Sequence, residues 1–441
     1  MSRASDSPDP ADAAARPRRP EIPRATAFWI VGGVLFVFLF AAGAPAPLYG
    51  VYQAELRFSP TTLTVIFAVY ALALLVTLLV AGTLSDYVGR RPVIIAALIV
   101  NTGAAALFLV ASSVALLLAA RIVQGIAVGA ATGALGAALI ELQPAGGNLA
   151  PVVNSAAPGF GLAAGAFGTS ALIQYGPAPT RLIWWLLLGS YVVALAGVAL
   201  MPETVTRRPG VLASMRPRIR VPRPARRTFA AALPCLIAVW ALGGLYLSLG
   251  PLLAAQVLGS GDLVWGGLVV FLLTGVGGAA TLLFRGLDPP RAMLAGCLIL
   301  LAGSSLTLAA ILTSASAPFL AGTGLAGIGF GLAFLGAFRT LSAQAEPGDR
   351  AALIAVIYLV SYLAFSVPAL AAGIAVTHEG LRSTALAYCA AVAALVALAA
   401  GGLLLARRGT TGPAQRPAQI NPPPAPCTVP PSTCHARPDL S

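Results

Sequence analysis

One arginine of the sequence, Arg121, lies within an apolar run that otherwise carries no charge, and Gln124 follows three residues later. Residues three apart share one face of a helix. Arg121 is about seven residues from the start of the run, roughly 10 Å along a helix axis. Because a membrane-embedded arginine costs about 2.5–3.5 kcal/mol on insertion scales, we expect it to face a cavity or a partner. The chemistry open to this pair is therefore the binding of a ligand or the passage of a proton. An arginine that snorkels to the nearer interface is the alternative.

A second polar group is the segment Gly-Thr-Leu-Ser-Asp-Tyr-Val-Gly-Arg-Arg-Pro, which begins at Gly82. Gly82 lets two helices approach closely, and Gly89 allows a tight turn with positive φ. Asp86 lies at a helix boundary, where a carboxylate caps a helix N-terminus or pairs with an arginine. Arg90 and Arg91 are expected to hold the loop on the cytoplasmic side. This combination predicts a structured turn, and a solvated turn is the alternative.

The titratable residues form no catalytic or metal-binding pattern in the sequence. None of the 14 acidic residues falls in the middle of an apolar run. Glu141 ends the run that holds Arg121, but about 20 residues separate the two, roughly 30 Å along a helix, so they cannot pair. His378 lies beside Glu379, where it could serve as a group that titrates near neutral pH, but we expect it to be a hydrated loop histidine without such a role. Since no nucleophile–base set emerges, we expect no enzyme, no cofactor and no metal.

The elements that must position these residues are membrane spans. Of the 441 residues, 58% are hydrophobic and 9% are charged, whereas soluble domains are about a quarter charged. In lipid, backbone polar groups are satisfied only within helices or closed barrels, and the runs here are continuously apolar rather than alternating. We therefore predict an all-α membrane protein whose spans each approach the roughly 20 residues needed to cross a bilayer. The predicted spans, numbered 1 to 12 in chain order, are 27–49, 61–82, 92–112, 114–140, 150–172, 181–201, 229–252, 263–284, 292–313, 317–341, 352–376 and 384–406.

The arginines predict the orientation of these spans. With the N-terminus in the cytoplasm, 23 of the 27 arginines lie in cytoplasmic segments, 3 lie outside and Arg121 lies within the membrane. Such a bias follows the positive-inside rule. It predicts a multi-pass protein of the plasma (inner) membrane with both termini in the cytoplasm. The net charge of +13 is then a topology signal, and we expect no nucleic-acid partner.

An arginine-rich segment divides the chain near its middle. Residues 203–228 hold 8 arginines, and we predict a cytoplasmic linker that lies on the anionic inner leaflet of the bilayer. The linker separates an N-terminal bundle, 27–202, from a C-terminal bundle, 229–408. Residues 1–26 form the predicted cytoplasmic N-terminal tail, and the proline-rich tail 409–441 has too few apolar residues for a core, which predicts disorder.

The two halves match each other at a nearly constant offset. Asp86 after span 2 corresponds to Asp288 after span 8, 202 positions later. Two glycine pairs match at the same offset and a proline pair matches at 204: Gly125 with Gly327, Gly129 with Gly331, and Pro47 with Pro251. Parallel six-helix repeats are one known plan for transporters, with the substrate held near the midplane between them.

The segment that begins at Gly82 resembles the signature loop of the major facilitator superfamily. The resemblance extends over the whole chain through the span count, the long middle loop and the duplication. It implies two pseudo-symmetric six-helix bundles (the MFS fold) and secondary transport by alternating access. In the family, the aspartate that matches Asp86 contacts span 11 across the halves and stabilises one state. The loop around Asp288 has lost a glycine and one arginine, which puts a gating role there in doubt.

Two further stretches resemble signatures of the drug/metabolite:proton antiporter branch. One contains Arg121 and Gln124, followed by glycines of span 4, and the other is the glycine-rich stretch of span 5, in which Ala166 replaces the proline of that pattern. The resemblance implies protons as a coupling partner and export as the direction. The glycines themselves are expected to serve helix packing. These are Gly125, Gly129 and Gly133 in span 4 and Gly161 and Gly165 in span 5.

Three tyrosines complete the predicted substrate or proton path beside Arg121 and Gln124. They are Tyr246 in span 7 and Tyr358 and Tyr362, one turn apart, in span 11. An aromatic cavity with one cation suits amphipathic or anionic organic solutes. We predict a monomer that exports such drug-like compounds in exchange for protons. Uptake or facilitated transport of a sugar, organic acid or other metabolite is the alternative, favoured by the missing membrane carboxylates. A non-transporting sensor ranks last, because no soluble domain would carry a signal.

Overall fold

A computed structural model describes residues 21–144, 149–211, 215–217, 219–346 and 349–409, and the regular secondary structure of these residues is helical. Twelve helices are long and apolar enough to cross a membrane, as the sequence predicts. Of the predicted tails, 1–26 and 409–441, the structure describes only 21–26 and 409, and the first helix already begins at Arg24, within the predicted N-terminal tail. In the same numbering, the spans extend over Arg24–Leu56, Pro60–Ala81, Arg90–Leu109, Val114–Leu142, Leu149–Tyr175, Leu182–Ala199, Arg223–Ser248, Val264–Leu283, Pro289–Thr313, Ser316–Ser342, Arg350–Glu379 and Leu381–Leu405.

Successive spans alternate in direction, so the molecule has two sides. We name the side that carries the segment 203–228 the linker side, and the other the opposite side. Spans begin where the sequence supplies a helix start. Ser59 accepts a hydrogen bond from the backbone N–H of Thr62 at 3.2 Å, and Asp288 accepts one from Arg291 at 3.3 Å. Each bond satisfies a backbone donor that the first turn of a helix leaves unpaired.

Span 1 is broken beside a proline, and span 7 ends close before one. In span 1, one helix ends at Gly43 and the next begins at Pro45. In span 7, a 3₁₀ turn leads into a helix that ends at Ser248, and a second helix, Gly250–Leu258, follows the span and begins directly before Pro251. Proline has no backbone N–H and starts a helix well but does not continue one. These two helix ends fall at equivalent places in the two halves.

Helix packing follows the same duplication. In the first half span 1 packs on span 5, span 2 on span 4, and span 3 on spans 4 and 6. Each contact recurs six spans later, where span 7 packs on span 11, span 8 on span 10, and span 9 on spans 10 and 12. The halves meet where span 2 packs on span 11 and span 5 on span 8. Two pseudo-symmetric six-helix bundles therefore form the fold.

Glycines allow the closest of these approaches. A Cβ atom at Gly125 would lie 2.5 Å from the carbonyl oxygen of Tyr70 in span 2, and one at Gly133 would lie 2.6 Å from that of Gly82. Gly129 lies against the same helix, at Leu74. Any larger residue would push spans 2 and 4 apart. Other glycines of this kind include Gly161 and Gly165 of span 5, which contact span 1, and Gly327 and Gly331 of span 10, which contact span 8.

Candidate functional site

The side chain of Arg121 lies inside the N-terminal bundle and is only 2% exposed. Its Nη1 donates a hydrogen bond to Oε1 of Gln124 at 2.7 Å, as expected for residues one turn apart. The amide nitrogen of Gln124 in turn donates to the carbonyl of Ala41 in span 1 at 2.9 Å. The structure thus places the pair between spans 1, 2 and 4, with the arginine side chain turned into the bundle.

Two tyrosine rings flank the guanidinium group. Its Cζ lies 4.1 Å from the ring centroid of Tyr70 and 5.9 Å from that of Tyr49. Aromatic faces stabilise a cation at these distances, and more strongly where water is excluded. The rings lower the cost of burying Arg121, but they supply no negative charge.

Among the described residues, Arg121 has no carboxylate partner within 4 Å. The two ion pairs that these residues form are both made by Arg90. In the same part of the chain, the buried Nε of Arg121 finds no acceptor, and the buried hydroxyl of Tyr49, which lies beside the guanidinium, finds no acceptor for its proton. A buried charge is normally paired, because its removal from water is costly. The arrangement is therefore complementary to an oxyanion, which would accept from both free donors.

The three predicted path tyrosines lie in two different environments. Tyr246 is 1% exposed, and its hydroxyl lies 2.9 Å from that of Thr323, within the C-terminal bundle. Tyr358 and Tyr362 are half-buried and stacked, with ring centroids 6.3 Å apart. The structure does not bring Tyr246 together with Arg121, whereas Tyr362 belongs to a larger group of rings.

That group contains aromatic residues that the sequence reasoning did not single out. Trp240 of span 7 lies 5.4 Å from Phe334 of span 10, 5.6 Å from Tyr362 and 5.8 Å from Phe365, measured between ring centroids. The available signal was a tryptophan at the middle of span 7 and the one-turn spacing of rings in spans 10 and 11. We name as the aromatic cluster the residues Trp240, Phe334, Phe338, Tyr358, Tyr362 and Phe365.

The aromatic cluster faces the N-terminal bundle. Phe365 packs against Phe67 of span 2 with ring centroids 4.8 Å apart. Phe67 precedes Tyr70 by three residues, so both lie on one face of span 2. Tyr70 is the ring that contacts Arg121. The cation of one half and the aromatic cluster of the other therefore adjoin across the interface between the bundles.

A polar network occupies the linker side, at the end of span 2 and the start of span 3. Arg90 donates from Nη2 to Glu141 at 2.9 Å and from Nη1 to Ser85 at 2.6 Å, and it forms an ion pair with Asp86. The hydroxyl of Thr204, beyond span 6, also donates to Glu141. Arg90 thereby connects the loop, span 4 and the linker.

Glu203, which is far from span 3 in the sequence, caps the N-terminus of span 3. Its carboxylate accepts hydrogen bonds from the backbone N–H groups of Arg90 at 2.8 Å and of Arg91 at 3.1 Å. Gly89, between the short helix Ser85–Val88 and span 3, has a φ of +108°. A Cβ atom at Gly89 would lie 2.6 Å from Oε2 of Glu203. Glycine is therefore required both by the turn and by the cap.

Asp86 does not bond to span 11 in the described structure. Its half-exposed carboxylate pairs with Arg90 of its own bundle and borders a cleft of about 730 Å³ that opens on the linker side. The cleft is also lined by Tyr87, Glu141 and Arg208. The equivalent Asp288 caps its own span 9. The contact with span 11 implied by the resemblance is thus absent from this arrangement of the described residues.

The two halves are joined on the opposite side. The hydroxyl of Thr61 in span 2 donates to the carbonyl of Gly373 in span 11 at 3.1 Å. The backbone N–H of Leu263, before span 8, donates to the side chain of Gln174 in span 5 at 3.2 Å. Both bonds connect the bundles directly, so the two bundles are in contact on the opposite side.

Comparison with known proteins agrees with this architecture. No curated protein matches the chain. The human organic anion transporter MFSD10 (TETRAN) has a similar structure, with a TM-score of 0.60 and 17% identity over 86% of this chain and 100% of its own. The nucleoside transporter NupG is similar at a TM-score of 0.63 and 11% identity, over 85% of this chain and 99% of its own. These likenesses show the fold. A family model described as Major Facilitator Superfamily matches residues 31–288, more than half of the sequence. The chain belongs to the Major Facilitator Superfamily.

Proposed function

We propose that this transporter exports small amphipathic organic compounds that carry a negative charge, by alternating access across the plasma membrane. The observation that carries the proposal is Arg121, a buried cation with free donors and no carboxylate partner among the described residues. A carboxylate of the substrate would supply the missing charge. Charge-assisted hydrogen bonds of this kind contribute about 1.5–3 kcal/mol each.

A similar structure is that of an organic anion transporter, but at 17% identity this likeness concerns the fold. The case for an anion therefore rests on Arg121 and on the rings that surround it. The direction rests on the glycine-rich stretch of span 5, which resembles the antiporter signature apart from Ala166.

Protons are the first candidate for the coupling ion, through the resemblance to the antiporter branch. Carboxylates are found at the ends of spans and not in their middles, with Glu55, Glu141 and Glu379 within the last two residues of their helices. This observation favours a second candidate, facilitated transport or uptake of an organic acid without a proton. The two candidates differ in whether a pH gradient accelerates transport.

We further propose that the segment from Gly82 to Arg91 is the gating loop. With the bundles in contact on the opposite side, Asp86 pairs with Arg90. When the bundles meet on the linker side instead, Asp86 would reach the N-terminus of span 11, at Arg350, where the helix dipole favours a carboxylate. The arginines of residues 203–228 would hold the linker against the anionic inner leaflet of the bilayer.

The test is transport by the purified protein in liposomes, with radiolabelled hexanoate and 3-phenylpropionate as probes. We expect Arg121→Gln to lower the initial rates for both acids about tenfold or more, since it removes a charge-assisted hydrogen bond. Arg57→Gln is the matched control, because Arg57 is exposed on the opposite side and the change in charge is the same. Equal rates for Arg121→Gln and the wild type would refute the proposal, as would rates no higher than those of protein-free liposomes.

A further inference from the structure

Most rings of the aromatic cluster are only partly covered, with Phe365 the buried member. Trp240, Phe334 and Tyr362 are half-buried, although they lie near the middle of their spans and contact one another. Phe108 and Trp184 of the N-terminal bundle are, by contrast, fully buried and stacked face to face at 4.1 Å. The aromatic cluster faces the boundary between the bundles, where Phe365 meets Phe67.

The indole nitrogen of Trp240 provides a second, independent observation. It is buried and, among the described residues, finds no hydrogen-bond acceptor. Buried indole N–H groups usually have a partner. Trp184 follows this rule, since its Nε1 donates to the hydroxyl of Tyr52 at 3.2 Å. The unpartnered donor of Trp240 therefore points to an acceptor that a bound molecule would bring.

We infer that the aromatic cluster is the binding surface for a planar aromatic ring, and that the substrates are aromatic carboxylates. The inference rests on the proposed function, because it takes the acid group to lie at Arg121. Contacts from Arg121 through Tyr70 and Phe67 to Phe365 connect the two sites across the interface. The ring would stack within the aromatic cluster, and a heteroatom or carbonyl on the ring would accept from Nε1 of Trp240.

A matched pair of acids separates ring recognition from charge recognition. 3-Phenylpropionate and 3-cyclohexylpropionate carry the same charge and nearly the same carbon skeleton, but only the first has a π system. Beyond the buried area that both acids share, contacts between aromatic rings should increase affinity by about two- to tenfold. We expect the purified wild-type protein to bind the phenyl acid tighter by that factor, as measured by calorimetry.

The variant Trp240→Leu should reduce this preference to about one, while Trp185→Leu, at an exposed tryptophan, should preserve it. Trp240→Phe keeps a ring and guards against failure of the leucine variant to fold. It should retain the preference for the phenyl acid but lose any additional affinity of 3-(pyridin-3-yl)propionate, whose ring nitrogen would accept from the indole.

Equal binding of the two acids by the wild type would overturn the inference, and so would an unchanged preference in Trp240→Leu. If both acids bind equally and both are lost in Arg121→Gln, the proposed function stands and the aromatic site is refuted. If neither acid binds the folded wild type, the anion site itself is refuted, and the aromatic site with it.

Discussion

Replacing Gly89 with alanine should destabilise the linker side of the protein. Gly89 joins the short helix Ser85–Val88 to span 3 with a φ of +108° and a ψ of 151°. This region of backbone conformation is almost exclusive to glycine. The same residue also leaves room for the carboxylate of Glu203, which caps span 3.

The magnitude follows from two contributions. Placing a residue with a Cβ atom in this conformation costs about 1–3 kcal/mol. The added Cβ would lie 2.6 Å from Oε2 of Glu203, so the carboxylate must move and weaken its bonds to Arg90 and Arg91. Loss of a helix cap costs about 1 kcal/mol. We therefore expect the free energy of unfolding to fall by about 2–4 kcal/mol.

Reversible unfolding in mixed detergent micelles measures this loss. Gly210→Ala is the control for backbone strain alone, because φ there is +102° but an added Cβ would be 3.7 Å from the ring of Tyr87. The double variant Gly89→Ala with Glu203→Ala should be more stable than the sum of the single effects predicts, because the cap is lost only once. Strict additivity, or a Gly89→Ala loss within about 0.5 kcal/mol, would refute the reasoning.

Two further predictions concern the ion pair and the contact between the bundles on the opposite side. Glu141→Gln should lower the free energy of unfolding by about 1–2 kcal/mol, less than the roughly 3–5 kcal/mol lost when a fully buried ion pair is broken, because the side chain of Glu141 is partly exposed. Asp288→Asn, which alters only a helix cap, should lower it by less in the same unfolding assay. Gly373→Ala would place a Cβ against Thr64 and prevent spans 2 and 11 from meeting. The assay is maleimide labelling of the variant Ser170→Cys, at a buried position, in a background with Cys427→Ser and Cys434→Ser. Gly373→Ala should speed this labelling, whereas Gly103→Ala, whose added Cβ meets no neighbour, should not. Equal labelling in the two variants would contradict the contact between the bundles on the opposite side.

The sequence predicts much of the fold, because the bilayer imposes simple rules. Continuous apolar runs predict the twelve spans, and the constant offset between matched residues predicts the duplication. The bond between Arg121 and Gln124 follows from their spacing on one helix. These features depend on local sequence. The close approach of spans 2 and 4 also follows from it, because Gly125, Gly129 and Gly133 recur every four residues along one face of span 4.

Features that depend on distant packing could not be predicted. Arg90 and Glu203 are 113 residues apart, and no local pattern pairs them. The spans are apolar on all sides, so their periodicity does not identify the face turned toward the other bundle. For this reason only its depth in span 7 indicates Tyr246 as a path residue, and periodicity does not single out Trp240. The sequence allowed Asp86 either to cap a helix or to pair with an arginine, and only the packing shows that it pairs with Arg90.

The role of Arg121 as an anion site is tested most directly by comparing an acid with its amide. 3-Phenylpropionate and 3-phenylpropanamide have nearly the same shape, and only the first carries a charge. Calorimetric titration of the wild type should give an affinity about 10- to 100-fold higher for the acid, as a charge-assisted hydrogen bond implies. In Arg121→Gln the preference should disappear. Equal affinities in the wild type, or a preference that survives in Arg121→Gln, would contradict an anion site at Arg121.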